Sequence, residues 1–108
     1  MRKIPESLRE EMSKDIFYKK CCVADEFCLG RIEFHHNLIY AGRQVNEKWC
    51  ILPVCKYHHD REKDKYIGEL LDHVMLNRAT DDDLRHFSKA FDYLELKNKL
   101  NEKYNYKM

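Results

Sequence analysis

The stretch from Cys21 to His59 places the strongest constraint on what this chain can fold into. It contains all five cysteines and four of the six histidines of the sequence. Two cysteine-bearing segments enclose a pair of apolar runs, and each run leads into a doubled histidine. Cysteine and histidine are the side chains that zinc and similar cations prefer as ligands. The pattern therefore predicts two metal sites, one that holds the fold together and one that takes part in chemistry.

The length of the chain makes a stabilising metal ion useful. With 108 residues, the sequence corresponds to a single small domain over 1–108, and small domains bury a modest share of their surface. No apolar run approaches the roughly 20 residues that cross a bilayer, and the N-terminus lacks the apolar segment of a signal peptide. We therefore predict a cytoplasmic protein without a membrane partner. In a reducing cytoplasm an odd number of cysteines favours metal binding over disulfides.

Net charge neither supports nor excludes a nucleic-acid partner. Lysine and arginine number 20 and aspartate and glutamate 19, which gives a formal net charge of +1. A domain that coats nucleic acid through bulk charge is normally more basic than this. Any contact with nucleic acid must therefore come from a local patch of charge.

Hydrophobic periodicity predicts an α+β fold. Apolar residues recur at helical spacing over 5–20 and alternate with polar residues over 31–36, as in a half-buried strand. A polar connection over 37–48 precedes a second strand over 49–54, in which Pro53 favours an edge position or the end of the pairing.

The second half of the chain has a helical pattern. Apolar residues fall at helical spacing from Lys56 onward, and Thr80 with Asp83 predicts a capping box for a last helix that ends near Glu102. The charged run from Asp60 to Lys65 is typical of a solvated helix face. We therefore expect a metal-bound core over 21–65 and C-terminal helices over 66–108.

One predicted site is a structural zinc. Its ligands come from two segments, and the sequence leaves the first of them open: Cys21 or Cys22, then Cys28, Cys55 and His58. The spacing of Cys55 and His58 lets one turn present both side chains to one ion. Buried cysteines can also be apolar fillers, and we interpret Cys50 in that way because it lies within the second strand.

The second predicted site combines His35, His36 and His59. The two strands and the following helix would bring these histidines together. Two of them would hold a divalent ion, and the third would accept a proton from water, which imidazole does readily near neutral pH. Phosphodiester hydrolysis needs both parts, a base and a cation that stabilises the negative charge.

The stretch GRIEFHHNLIYAGRQVNEKWCILPVCKYHH resembles the HNH endonucleases, whose catalytic unit is the ββα-metal (His-Me) finger. It is most similar to small HNH proteins carried by bacteriophages and prophages. These share a cysteine pair, Gly-Arg-Ile, an acid–histidine or His-His pair, Tyr-Ala-Gly-Arg-Gln and Cys-x-x-His-His. The match covers residues 21–59, and the flanking helices agree only in a general way.

The resemblance implies a role for each residue that matches the motif. His36 would be the general base, and His35 with His59 would hold a catalytic divalent ion such as Mg²⁺, Mn²⁺ or Ni²⁺. Cys21 becomes the better fourth zinc ligand, beside Cys28, Cys55 and His58. The implied substrate is DNA and the implied reaction is phosphodiester hydrolysis. A homodimer would suit cutting of both strands, but no sequence feature requires one.

One position departs from the family pattern. HNH proteins commonly carry an asparagine where this chain has Cys50, and that asparagine helps to fix the general base. Asn46 or Gln44 would substitute for it, or the backbone alone would hold the base. The departure gives weight to a second hypothesis, a non-catalytic zinc-stabilised module that binds nucleic acid or inhibits a host protein.

Arg31 and Arg43 are candidates for binding DNA phosphates, because a guanidinium group matches two phosphate oxygens at once. For each, an ion pair with a neighbouring acid is an equally good interpretation, with Glu47 the natural partner of Arg43.

Overall fold

The computed structural model describes residues 3–88 and 91–104. Parts of the predicted ranges 1–108 and 66–108 therefore lie outside the described residues. The chain has mixed helices and small antiparallel sheets, which confirms the α+β class. Its elements in order are α1 (Glu6–Ser13), a 3₁₀ turn (Ile16–Lys19), β1 (Ile32–His36), β2 (Ile39–Tyr40), β3 (Arg43–Gln44), a 3₁₀ turn (Lys48–Cys50), β4 (Ile51–Cys55), α2 (Lys56–His59), α3 (Lys65–Arg78), α4 (Asp81–Phe87) and α5 (Tyr93–Tyr104).

The predicted helix over 5–20 is two elements. Helix α1 ends at Ser13, and Asp15 adopts an extended backbone whose carboxylate accepts a hydrogen bond from the backbone N–H of Phe17. This side chain therefore caps a new 3₁₀ turn, as aspartate commonly does where a helix begins. The break leaves Ile16 84% exposed, although its spacing predicted a place on the buried stripe.

The two predicted strands pair as an antiparallel sheet. Strand β1 lies against β4 in a register that sets Ile32 opposite Cys55 and His36 opposite Ile51. The second strand begins later than predicted, because Trp49 and Cys50 form the end of a 3₁₀ turn. All of β4 is buried, and Pro53 fits within it because a two-stranded sheet has only edge strands.

The predicted connection over 37–48 contains a hairpin of its own. Strands β2 and β3 pair antiparallel, with Tyr40 opposite Arg43. The two residues between them have φ of 53° at Ala41 and 77° at Gly42. Positive φ at both central residues is the requirement of a tight type I′ turn, which Gly42 meets without steric cost.

Three helices follow in the C-terminal half, where α3 contacts β4 and α5 packs against both α3 and α4. The predicted capping box of α4 is present, since Thr80 and Asp83 exchange side-chain and backbone hydrogen bonds. The helix predicted to run on to Glu102 is divided, because α4 ends at Phe87 and α5 begins at Tyr93.

Most buried side chains form one core between β4, α3, α4 and α5, and a smaller cluster joins α1 to Ile51. Cys50 is fully buried in the main core, as predicted. No helix within the described residues is both long and apolar enough to cross a membrane.

Candidate metal centres

Four predicted zinc ligands lie together at one end of the sheet. Cys55 ends β4 and His58 lies in α2, while Cys21 and Cys28 come from the segment between the first 3₁₀ turn and β1. One ligand atom from each residue lies within 4.8 Å of the others, and we name this set the Cys₃His cluster: Cys21, Cys28, Cys55 and His58.

The spacing of the ligand atoms fits a tetrahedral cation. His58 Nδ1 lies 3.5 Å from Cys21 Sγ, 3.6 Å from Cys28 Sγ and 3.1 Å from Cys55 Sγ. Tetrahedral zinc, with bonds of about 2.3 Å to sulfur and about 2.0–2.1 Å to nitrogen, holds such atoms roughly 3.6 Å apart. The cluster is therefore compatible with binding a metal ion such as zinc.

The first cysteine of the cluster is Cys21 and not its neighbour. Cys21 is buried and its sulfur lies 3.5 Å from His58 Nδ1, whereas Cys22 is half-buried, packs against the main core and is not part of the Cys₃His cluster. The chain turns at Cys22 and Val23, and only Cys21 contributes its sulfur to the cluster.

The thiols of the Cys₃His cluster differ in acidity. Burial raises the pKa of Cys21 to about 12. Burial acts in the same direction on Cys55, but hydrogen bonds from the backbone N–H groups of His58 and Leu29 and from side chains outweigh it and lower the pKa to about 7. A cation that enters the cluster must therefore displace the proton from Cys21.

Two further features hold the cluster in place. His58 is fully buried, and its Nε2 lies 3.0 Å from Asp25 Oδ2, which leaves Nδ1 facing the sulfurs. Such a carboxylate partner is typical of histidines that ligate metals. Gly30, with φ of 87°, lets the chain pass closely over α2, since a Cβ there would lie 2.9 Å from Lys56 Cβ.

A second set of ligand atoms comes from β1 and the region of α2. His35, His59 and Glu62 also place one ligand atom each within 4.8 Å of one another, and we name them the His₂Glu cluster. Glu62 Oε2 lies 2.8 Å from His35 Nδ1 and 3.5 Å from His59 Nε2. This oxygen is inaccessible to solvent and makes no hydrogen bond within residues 3–88 and 91–104.

The donor set fits a divalent cation with open positions. Two imidazoles and one carboxylate provide three ligands, and imidazole suits Ni²⁺ and Zn²⁺ while carboxylate suits Mg²⁺ and Mn²⁺. Burial lowers the pKa of His35, although the nearby Glu62 acts against that shift. A neutral ring is the form that can ligate a metal.

Glu62 was not among the predicted ligands, because the run Asp60–Lys65 was interpreted as a solvated face. The signal available in the sequence was its spacing of three residues after His59, which places both on one side of a helical turn. Glu33 was missed as well, although it shares one face of β1 with His35 by the period of two in a strand.

Glu33 is a hydrogen-bonding partner of His59, one of the members of the His₂Glu cluster. His59 Nδ1 lies 2.8 Å from Glu33 Oε1, so His59 Nε2 is left to face the cluster. Arg31 in turn donates to Glu33 at 3.2 Å. Hydrogen bonds from His59 and then from Arg31 lower the pKa of Glu33.

His36 is held by Asn46, one of the two residues predicted for that role. His36 Nε2 lies 2.8 Å from Asn46 Oδ1, and Asn46 Nδ2 donates to the carbonyl oxygen of Lys3 at 3.0 Å. Because the amide nitrogen is used by Lys3, the amide oxygen faces His36 and accepts its Nε2 proton. In a neutral ring, the lone pair of His36 is therefore on Nδ1.

These parts surround a single cavity of about 300 Å³. It is lined by Phe34, His35, His36, Asn37, Ile39, Gln44, His59, Glu62 and Lys63. Gln44, the other predicted partner of His36, therefore lies at the cavity wall. The structure brings all three predicted histidines of the second site to this cavity.

The two predicted phosphate contacts differ in their surroundings. Arg31 forms an ion pair with Glu33. Of the two interpretations of Arg31, the structure therefore favours the ion pair with a neighbouring acid. Arg43 is exposed on the hairpin, and within the described parts of the chain it forms no ion pair with Glu47.

Comparisons with protein-family models, with curated proteins and with solved structures find no match for this chain. What the chain does is therefore inferred from its own residues and from the geometry of the two clusters.

Proposed function

We propose that this protein is a metal-dependent endonuclease of the HNH type, of the small kind carried by phages and prophages, that hydrolyses DNA phosphodiester bonds. One observation carries the proposal. The His₂Glu cluster and His36 line the same cavity. A cation site beside an unprotonated imidazole nitrogen is the minimum that this hydrolysis requires.

The local architecture supports the proposal. Strands β1 and β4 pair antiparallel, and the helix α2 follows β4 directly. This order of two strands and a helix, with His35 and His36 on the first strand and His59 on the helix, is what a ββα-metal finger would have.

The Cys₃His cluster has a positioning role in this proposal. His58 belongs to that cluster and His59 to the His₂Glu cluster, and both lie on the single turn of α2. Helix propensity alone does not hold one turn in place. A metal ion that binds His58 and Cys55 therefore also fixes His59 at the cavity.

His36 is the proposed general base. Its Nε2 proton is bound by Asn46, so Nδ1 can accept a proton from a water molecule in the cavity. Asn46 thereby does the work that the family assigns to an asparagine at the position of Cys50. A divalent cation in the His₂Glu cluster would stabilise the negative charge that develops on the phosphate and on the leaving oxygen.

Basic residues near the cavity suit a phosphate-bearing substrate. Lys63 lines the cavity, and Arg43 is exposed on the hairpin whose Gln44 and Ile39 form part of the wall. Arg43 is therefore the proposed phosphate contact, and Arg31 has the role of holding Glu33.

The test is plasmid cleavage by the zinc-loaded protein with Mg²⁺, Mn²⁺ or Ni²⁺, compared with His36→Ala. We expect cleavage that depends on the added ion and falls by about 10²- to 10⁴-fold in the variant, the usual range for loss of a general base. His86→Ala is the matched control, because His86 is exposed on α4 away from the cavity.

Full activity of His36→Ala would refute the assignment of the base. If the folded, zinc-loaded wild-type protein cuts with none of the ions, the endonuclease proposal fails. The non-catalytic binding module would then be the better hypothesis.

A further inference from the structure

Asn37 links the His₂Glu cluster to helix α3. Its Oδ1 lies 3.0 Å from His35 Nε2, and its Nδ2 donates to Asp72 Oδ1 at 2.9 Å. The same amide nitrogen also approaches Met75 Sδ at 3.5 Å. His35, Asn37 and Asp72 therefore form a chain of hydrogen bonds that leads away from the cavity.

The chemistry of the three side chains decides which atom donates and which accepts in each of these hydrogen bonds. An amide NH₂ can only donate and an ionised carboxylate can only accept, so Asp72 selects the nitrogen of Asn37. The amide oxygen then faces His35 and accepts, which requires the proton of the neutral ring to be on Nε2. His35 Nδ1 is left with a lone pair.

The nitrogen that carries this lone pair lies close to another member of the cluster. His35 Nδ1 lies 2.8 Å from Glu62 Oε2, an oxygen that has no hydrogen bond among residues 3–88 and 91–104. At this separation the two acceptor atoms need a proton or a metal ion between them, and the neutral ring leaves that place to a metal ion. The tautomer that Asn37 selects is therefore the one that a metal ion needs.

Asp72 lies on α3 and is half-buried. Burial raises its pKa, and the hydrogen bond from Asn37 opposes that rise. His58 and His59 each have a carboxylate as direct partner, Asp25 and Glu33. His35 instead reaches its carboxylate through an amide.

We infer that Asn37 and Asp72 are positioning residues for the cation of the His₂Glu cluster, and that they act by holding His35 with Nδ1 toward Glu62. The inference rests on the cation site of the proposed function but not on nuclease activity. Loss of a hydrogen-bonding partner behind a metal ligand weakens metal binding by about 10- to 100-fold.

The experiment measures Mn²⁺ affinity of the zinc-loaded protein by electron paramagnetic resonance of the free ion. We expect Asn37→Ala and Asp72→Ala each to lose about 10- to 100-fold in affinity with unchanged zinc content. Proton NMR gives a second readout, since the His35 Nε2 proton should be protected from exchange in the wild type and lose protection in Asn37→Ala. Asn98→Ala, an exposed asparagine on α5, is the control.

Exchanging the side chains of Asn37 and Asp72 tests whether the hydrogen bonds to His35, and not packing alone, support metal binding. In the double variant Asn37→Asp with Asp72→Asn, the new carboxylate at position 37 would accept a hydrogen bond from His35. The new amide at position 72 would donate a hydrogen bond to that carboxylate. We expect this variant to regain most of the Mn²⁺ affinity that Asn37→Ala loses, which a loss of packing would not allow.

Unchanged Mn²⁺ affinity in both alanine variants would overturn the inference, as would a wild-type affinity that His35→Ala does not alter. A wild-type protein that binds Mn²⁺ in the expected way but does not cut plasmid would refute the proposed nuclease and leave this inference standing.

Discussion

Cys21 and Cys22 provide a matched pair of substitutions for testing the Cys₃His cluster. The two cysteines are adjacent, but only Cys21 brings its sulfur near His58 Nδ1, at 3.5 Å. Cys22 packs against the main core and lies outside the Cys₃His cluster. Exchange of either residue for serine replaces one atom, so the two variants differ chiefly in whether a metal ligand is lost.

The expected loss follows from the number of ligands. Structural zinc binds small Cys and His sites with an apparent free energy of about 10–16 kcal/mol at neutral pH. If the four ligands contribute comparably, Cys21→Ser weakens binding by roughly 2.5–4 kcal/mol, or about 10²- to 10³-fold. Since zinc binds the folded chain, the variant should also lose thermal stability.

The assay is competition for zinc with a chelator of known affinity, supported by the absorption of the Co²⁺-substituted protein. Thiolate ligands give Co²⁺ an intense charge-transfer band, which should weaken in Cys21→Ser and persist in Cys22→Ser. An equal loss of zinc in both variants, or no loss in Cys21→Ser, would refute the assignment of Cys21.

Three further outcomes are expected. Glu62→Gln should weaken Mn²⁺ binding by at least the roughly 10- to 100-fold that loss of an outer partner costs, and a titration that matches the wild type would remove Glu62 from the site. Leu76→Ala should lower the free energy of unfolding by about 2–5 kcal/mol because Leu76 is fully buried; Ile16→Ala should change it by less than about 0.5 kcal/mol, and equal losses in urea unfolding would contradict the described core. Zinc affinity should fall at least about 10-fold for each unit of decreasing pH, because Cys21, with a pKa that burial raises to about 12, must release its proton. Below about pH 7 the fall should steepen as Cys55 also takes up a proton, and a pH-independent affinity would show that the thiols do not bind the ion.

Local patterns in the sequence were sufficient for the features that depend on near neighbours. Alternation of polar and apolar residues located β1, and the pair Thr80 and Asp83 located the start of α4. The spacing of Cys55 and His58 indicated one half of a metal site, because a single turn can present both side chains. These features are set by backbone geometry over a few residues.

Helix ends were harder to predict from the sequence. The apolar spacing that predicted one helix over 5–20 continues through Asp15, whose side chain instead caps a separate turn. The predicted last helix is likewise divided between Phe87 and Tyr93. Periodicity does not register such breaks, because local side-chain to backbone hydrogen bonds compete with the helix without changing the apolar pattern.

Only the tertiary structure decided which side chains meet across the sheet. It placed Cys21 rather than Cys22 beside His58, and it placed Asn46 against His36. It also brought Asp72 of α3 to Asn37, a partner 35 residues away. The sequence supplied the kinds of ligand, whereas their partners depend on how β1, α2 and α3 pack, and no short-range spacing encodes the contacts between elements so far apart in the chain.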